Sequence, residues 1–135
     1  MNRHILLRKL DEADPFLKRL EEICSVPQDE FLSSFDLQHL AERLIEIVAQ
    51  IVIDIFLHIH ASDRTPETYG ECIQSLHNRG AIDKGTSLRL RKLVQMRNLI
   101  VHQYGKIDYF LVQNACCSIN ADFSKFRQQI LSFID

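Results

Sequence analysis

The stretch LQHLAERLIEIVAQIVIDIFLHIH, residues 37–60, decides the fold class of this 135-residue chain. Its apolar residues recur at steps of three and four, which is the spacing of one face of an α-helix. In its second half, further apolar residues widen that face until the helix is apolar on nearly every side. Such a helix must be covered from several directions. We therefore propose that it also contacts a second copy of the chain; the alternative is that it lies at the centre of its own bundle.

Helical signals also precede this stretch. Apolar residues from Leu6 to Cys24 follow the same spacing and predict a first helix, which Asp14 and Pro15 either kink or restart. Residues 25–35 are predicted to form a connector with one helical turn of its own. Asp36 is then expected to cap the long helix, because a carboxylate can accept the free backbone N–H groups of a first helical turn.

Two shorter elements follow the long helix. Thr65, Pro66 and Glu67 have the order of an N-cap, a first helical residue and an acidic first turn, and they predict a helix running to about residue 78. Gly80 is predicted to end it in the left-handed conformation. Asp83 or Thr86 then opens a fourth helix.

The fourth helix is expected to stop at Gly105, and Asp108 is expected to cap the last helix. The apolar stripe of this last helix reaches the C-terminus through Ile119, Phe123, Phe126, Ile130 and Phe133. We therefore predict an all-α, antiparallel four- to five-helix bundle that forms a single domain over residues 1–135.

Composition agrees with this fold class and excludes several others. The chain is 46% apolar and 25% charged, and four glycines and three prolines are few for a many-stranded protein. The charged start is unlike a signal peptide, and no apolar run is long enough to span a membrane. The four cysteines lack C-x-x-C spacing, so reduced and partly buried thiols, as in a cytoplasmic protein, are expected in preference to zinc or a disulfide framework.

Charge is concentrated in one segment. The whole chain carries −2, whereas residues 79–106 contain seven basic residues and one acidic residue and carry +6. This segment can meet phosphate groups. The alternative is a solvated helix face whose basic residues pair with acidic residues elsewhere in the bundle.

Arg97 and His102 lie at the end of the basic segment, within the sequence RNLIVHQYG of residues 97–105. At about 100° per residue they are separated by about 140° around the helix, so they are expected to flank a cleft. A two-fold dimer that brings this helix near its own copy would place two arginines and two histidines around one groove. His58 and His60, in contrast, point to nearly opposite sides of their helix and are expected only to lie at a helix end.

The segment RNLIVHQY resembles the R-x4-H-x-Y motif of HEPN-domain toxins of the HepT-like branch. The similarity extends over TPETYGECIQSLHNRGAIDKGTSLRLRKLVQMRNLIVHQYGKIDYFLV, residues 65–112, and the apolar helix 37–60 fits the dimer-forming core of that family. It is weakest over residues 1–35.

The resemblance implies a homodimeric helical ribonuclease that needs neither a metal nor a cofactor. Its implied catalytic residues are Arg97 and His102, with polar Asn98 in support. It also implies a cognate nucleotidyltransferase-type antitoxin that silences the toxin by transferring nucleotidyl groups to Tyr104. The expected partners are therefore RNA, the antitoxin and a second copy of the chain, in the cytoplasm and away from membranes.

Two alternatives remain open at the level of sequence. The same fold can be a catalytically idle helical subunit that binds a nucleotidyltransferase, with Arg97 and His102 binding nucleotide or stabilising the dimer. An unrelated structural bundle, which neither cleaves RNA nor binds such a partner, is the third hypothesis. For Tyr104 the alternative to modification is a phenol packed against the next helix, and for Asn98 it is a simple exposed helix position.

Overall fold

A computed structural model describes residues 2–60, 68–102 and 106–135, and within these residues the chain forms seven helical segments. Their bounds are α1 Arg3–Glu12, α2 Asp14–Cys24, α3 Gln28–Leu32, α4 Phe35–Ile59, α5 Tyr69–Asn78, α6 Lys84–His102 and α7 Tyr109–Ile134. The predicted all-α bundle is confirmed. The count exceeds five because the first predicted helix is divided into α1 and α2, and because the connector contains the five-residue α3.

The bundle is built on α7. Contacts between Asp83 and Gln129 and between Arg89 and Asp122 show that α6 runs antiparallel to α7. Helix α2 also runs antiparallel to α7, since Asn120 donates a hydrogen bond to the carbonyl oxygen of Leu17 at 2.9 Å, and Cys24, later in α2, is bonded to Cys117, earlier in α7. Helices α5 and α6 form an antiparallel pair joined by a short turn. This arrangement directs the C-terminal end of α6 and the first turn of α5 to one side of the molecule.

Helix α4 lies at the centre of the bundle and packs against all six other helices. Ile45, Ile53, Ile55 and Phe56, which point in different directions around α4, are all fully buried within one copy of the chain. The alternative of central burial is therefore confirmed for these residues, and the proposed contact of α4 with a second copy stays a prediction. Six neighbouring helices cover the apolar residues of α4, whereas the sequence alone could not say which elements would do so. In the described residues, no helix is long and apolar enough to cross a membrane.

Several predicted helix ends are confirmed by backbone hydrogen bonds. The carboxylate of Asp83 accepts the N–H of Thr86 at 2.8 Å, so Asp83 is the residue that opens α6. Asp108 caps α7 by accepting the N–H of Phe110 at 3.0 Å. Gly80 has a φ of 78° and ends the turn after α5, as its missing side chain allows. Gly105 lies outside the described residues.

Two other predicted helix starts, those of α4 and α2, differ from the structure. Helix α4 is capped by Ser34, whose hydroxyl accepts the N–H of Leu37 at 3.2 Å, and Asp36 already lies in its first turn. The start of α5 is Tyr69, capped by Thr68, while the predicted start at residues 65–67 lies outside the described residues. At Asp14 the chain restarts, but Asp14 is the first residue of α2 and not its cap, and it pairs with Arg127 of α7.

The cysteine prediction is wrong for two of the four residues. Cys24 at the end of α2 and Cys117 in α7 form a disulfide, with their Cα atoms 4.9 Å apart. They are separated by 93 residues in sequence, and only the packing of α2 against α7 brings them together. Cys72 and Cys116 are free, buried thiols, as predicted, and burial raises the pKa of Cys72 to about 11 and that of Cys116 to about 12.

Candidate functional site

The basic segment does not form one uniform surface. Arg89 pairs with Asp122 of α7 at 3.6 Å, and Arg91 donates a hydrogen bond to Gln74 of α5. Burial raises the pKa of Asp122, while the nearby positive charges of Arg89 and Lys92 act in the opposite direction. Pairing with an acidic residue elsewhere in the bundle is thus confirmed for Arg89. The lysines of this segment, Lys84, Lys92 and Lys106, are exposed.

Arg97 belongs to the inner part of the helix surface and is half-buried. Its Nε atom is buried and has no hydrogen-bond partner among the described residues. One terminal nitrogen, Nη1, donates a hydrogen bond to the side-chain oxygen of the neighbouring Asn98 at 3.1 Å. The guanidinium therefore keeps donors available, and burial of its stem fixes where they can point.

His102 is the last residue of α6 and is exposed. Although it lies about 140° around the helix from Arg97, both side chains line one cavity of about 500 Å³. Its remaining lining residues are Leu57 of α4, Val94 and Asn98 of α6, and the start of α5, so three helices contribute to it. The structure thus brings Arg97, Asn98 and His102 together at one open cavity, in agreement with the predicted cleft.

The start of α5 forms a wall of this cavity that the sequence analysis missed. Thr68, Tyr69 and Gly70 all line it, and Thr68 caps the helix by accepting the N–H of Glu71 at 3.1 Å. A signal for this was present in the sequence. Thr68 and Glu71 have the T-x-x-E spacing of a capping box, which would have placed the helix start at Tyr69 in place of Pro66.

A second groove adjoins the cavity on the outer face of α6. It has a volume of about 480 Å³ and is lined by Gln95, Asn98, Leu99 and His102. Leu88 and Leu99 lie on this same outer face and remain 51% and 43% exposed. Asn98 and His102 line both the cavity and the groove, so a surface that covers this face of α6 also reaches the cavity.

The other predicted site residues are placed as follows. Tyr104 lies outside the described residues. His58 and His60 lie at the end of α4, as predicted; the Nε2 atom of His58 accepts the backbone N–H of Asn2 at 3.1 Å, and His60 is buried. Within the described ranges, no group of three or more His, Cys, Asp or Glu side chains is arranged to hold a metal ion.

Known proteins share both this sequence and this architecture. The family model "Ribonuclease HepT-like" matches residues 14–130. The chain is 26% identical over 132 residues to the tRNA nuclease HepT of Aphanizomenon flos-aquae, covering 96% of this chain and 90% of that protein. It is 25% identical over 130 residues to a putative RNase of Archaeoglobus fulgidus, covering 96% and 93%.

Solved structures of toxin–antitoxin complexes contain the same fold. A toxin–antitoxin complex with AMP-PNP matches with a TM-score of 0.87 and 22% identity, over 96% of this chain and 99% of that chain. A tri-AMPylated Shewanella oneidensis HEPN toxin in complex with MNT antitoxin matches with a TM-score of 0.86 and 24% identity, over 98% and 99%. Since the family model spans most of its length, the chain belongs to the HepT-like ribonuclease family.

Proposed function

We propose that this protein is the toxin of a toxin–antitoxin pair and acts as a metal-independent endoribonuclease. The observation that carries the proposal is the shared cavity of Arg97 and His102, which combines a fixed cation with an exposed imidazole. The tRNA nuclease relative supports an RNA substrate. The site of action is the cytoplasm, where RNA is available.

In the proposed reaction, Arg97 holds the scissile phosphate. A guanidinium can donate two parallel hydrogen bonds to phosphate oxygens and offset the negative charge that grows on them during the reaction. Arg97 is half-buried and lines the cavity, and this burial limits its movement. Asn98 supports this role by accepting a hydrogen bond from the guanidinium.

His102 moves protons. As an acceptor it takes the proton of the ribose 2′-hydroxyl while the 2′-oxygen forms a bond to phosphorus. The bond from phosphorus to the 5′-oxygen breaks, and this leaving oxygen must gain a proton. A protonated histidine supplies it, so the products are a 2′,3′-cyclic phosphate and a 5′-hydroxyl, with no net proton change in the enzyme. Histidine suits both steps because a neutral imidazole accepts a proton and a protonated imidazole donates one.

One copy of the chain supplies only one such histidine, so we infer that the site is completed in a two-fold homodimer. The outer face of α6 is the proposed interface, because Leu88, Gln95 and Leu99 would be covered there. A two-fold contact through this face brings two copies of α6 together and gives each groove an arginine and a histidine from both subunits.

A cleavage assay tests the enzyme. Wild type should cut RNA in the presence of EDTA, and Arg97→Ala should lose activity by roughly 100-fold or more, since one transition-state donor contributes on that order. His102→Ala should abolish cleavage and leave the dimer and its helicity intact. Cleavage by neither wild type nor variants, with retained binding to a nucleotidyltransferase, would favour the alternative of a catalytically idle binding subunit.

We further propose that a cognate nucleotidyltransferase-type antitoxin silences the toxin by nucleotidylylating Tyr104. Tyr104 follows His102 by two residues, so an added phosphate can reach the cavity and pair with Arg97 in the place of RNA. The AMPylated state of the Shewanella toxin supports this proposal. Intact-mass measurement after incubation with antitoxin and ATP should show added nucleotides on wild type and none on Tyr104→Phe; an equal gain on both would exclude Tyr104 as the acceptor.

A further inference from the structure

The first turn of α5 gives the cavity a chemical character that the proposed phosphate chemistry does not use. Tyr69 is half-buried, packs against the hydrophobic core on one side and lines the cavity. Leu57 and Val94 add further apolar lining beside it. A phosphate alone would need only Arg97 and His102, so the apolar lining requires a separate explanation.

The size of the cavity also indicates a ligand larger than a phosphate group. At about 500 Å³ it lies well within the range of about 300–1,000 Å³ that small-molecule sites occupy. A nucleotide combines a charged phosphate with a flat, largely apolar base, and the lining combines the cation of Arg97 with the ring of Tyr69. Stacking of bases on tyrosine rings is a common way for proteins to bind single-stranded RNA.

Gly70 leaves room for such a ligand. Among the described residues, a Cβ atom added at Gly70 would have only the Thr68 hydroxyl within 4 Å, at 3.8 Å, so these residues leave space beside the helix start. Its backbone needs no positive φ, so helix geometry does not itself demand a glycine here. A larger residue at this position would fit the helix and would occupy the cavity.

We propose that Tyr69 is a positioning residue that stacks on one base of the RNA next to the phosphate held by Arg97, and that Gly70 keeps the base site open. This inference rests on the proposed ribonuclease function. It predicts that RNA is bound as an unpaired nucleotide at the cut, because a base within a duplex cannot stack on a protein ring.

Binding is measured separately from cleavage with a 2′-O-methyl RNA oligonucleotide, which has no free 2′-hydroxyl to attack. Fluorescence anisotropy should show a Kd for Tyr69→Ala that is roughly 5- to 150-fold weaker than for wild type, the range that stacking of one base provides. Tyr69→Phe keeps the ring and should rescue binding. An equal Kd for wild type and Tyr69→Ala would overturn the proposal.

An abasic substrate distinguishes stacking from a structural role of Tyr69. We would place a ribose without a base on either side of the bond that wild type cuts in a defined RNA oligonucleotide. At the position that contacts Tyr69, wild type should lose activity and Tyr69→Ala should lose no more. If Tyr69→Ala shows its full loss on both abasic substrates, the ring acts on folding and not on a base.

Two glycines offer a matched steric test. Gly70→Leu should fill the cavity and weaken binding of the 2′-O-methyl RNA at least tenfold, while its thermal unfolding stays close to that of wild type. Gly85→Leu is the control, because Gly85 is likewise the second residue of its helix but does not line the cavity. Equal RNA affinity for both variants would refute the base site.

The outcomes separate this inference from the proposed function. If wild type does not cleave RNA while Arg97→Ala behaves identically, the ribonuclease proposal fails and the base site falls with it. If wild type cleaves, Arg97→Ala does not, and both Tyr69→Ala and Gly70→Leu bind and cleave like wild type, only the base site is wrong.

Discussion

Reduction of the disulfide between Cys24 and Cys117 should lower the stability of the protein without changing its fold. The bond joins residues 93 apart in the chain, and in the chain-entropy account a closed loop of that length is worth roughly 4–5 kcal/mol. A domain of this size is stable by about 5–15 kcal/mol, so the loss is a large share of the total.

Contacts between α2 and α7 that do not involve sulfur should keep the reduced protein folded. Gln113 donates a hydrogen bond to the carbonyl oxygen of Ile23 at 3.4 Å, Asn120 donates one to that of Leu17 at 2.9 Å, and Arg127 pairs with Asp14. These bonds hold both ends of α2 on α7. We therefore expect the reduced protein to keep its helicity at low denaturant and to unfold at a lower denaturant concentration.

Urea unfolding followed by circular dichroism measures the effect. With a urea dependence of about 2 kcal/mol per molar, 4–5 kcal/mol corresponds to a midpoint lower by roughly 2 M after reduction. Cys117→Ser is the control, and reductant should not move its midpoint. Disulfides are rare in the reducing cytoplasm, so the value for the reduced protein is the one that applies there.

Counting the free thiols shows whether the disulfide forms. Alkylation of the unfolded, untreated protein should label two thiols, those of Cys72 and Cys116, and four after reduction. Four labelled thiols before reduction would show that the disulfide does not form. Two labelled thiols together with an unchanged midpoint would show that the 93-residue loop contributes no stability.

Three further predictions concern the proposed interface, the core and a helix cap. Leu99→Glu should give monomers and abolish RNA cleavage, whereas Leu111→Glu, at a residue of α7 that is 49% exposed, should stay dimeric by light scattering; a dimer in both cases would move the interface away from α6. Ile55→Asp should unfold the chain and not merely separate subunits, because an unpaired charge in the fully buried centre of α4 costs several kcal/mol by rough estimate. A folded monomer by circular dichroism and light scattering would contradict this prediction. Hydrogen bonds from Thr86 lower the pKa of Asp83, so the stabilising effect of this carboxylate is present above the ordinary carboxylate pKa and is lost as the pH falls through the lowered value. The difference in melting temperature between wild type and Asp83→Ala should therefore shrink between pH 7 and pH 3. A constant difference would exclude the charged cap.

Local signals in the sequence predicted the helices of the fold and several of their ends. The caps at Asp83 and Asp108 and the apolar spacing of α7 depend on residues only a few positions apart. A short segment of sequence therefore contains all the residues needed to predict them. Errors arose where two local signals competed. Ser34 and Asp36 both suit an N-cap, and the choice between them depends on where the chain leaves α3 and enters α4.

The sequence by itself also determined the motif of Arg97 and His102 and the helix that carries them. Tertiary structure decided what that motif faces. Tyr69 and Gly70 become part of the cavity only because α5 folds back on α6, and Cys24 meets Cys117 only because α2 packs on α7. The same applies to α4, whose apolar surface predicted burial but not the covering partner. Hydrophobic periodicity records how much surface must leave water, whereas the neighbour that covers it is selected by packing between distant segments.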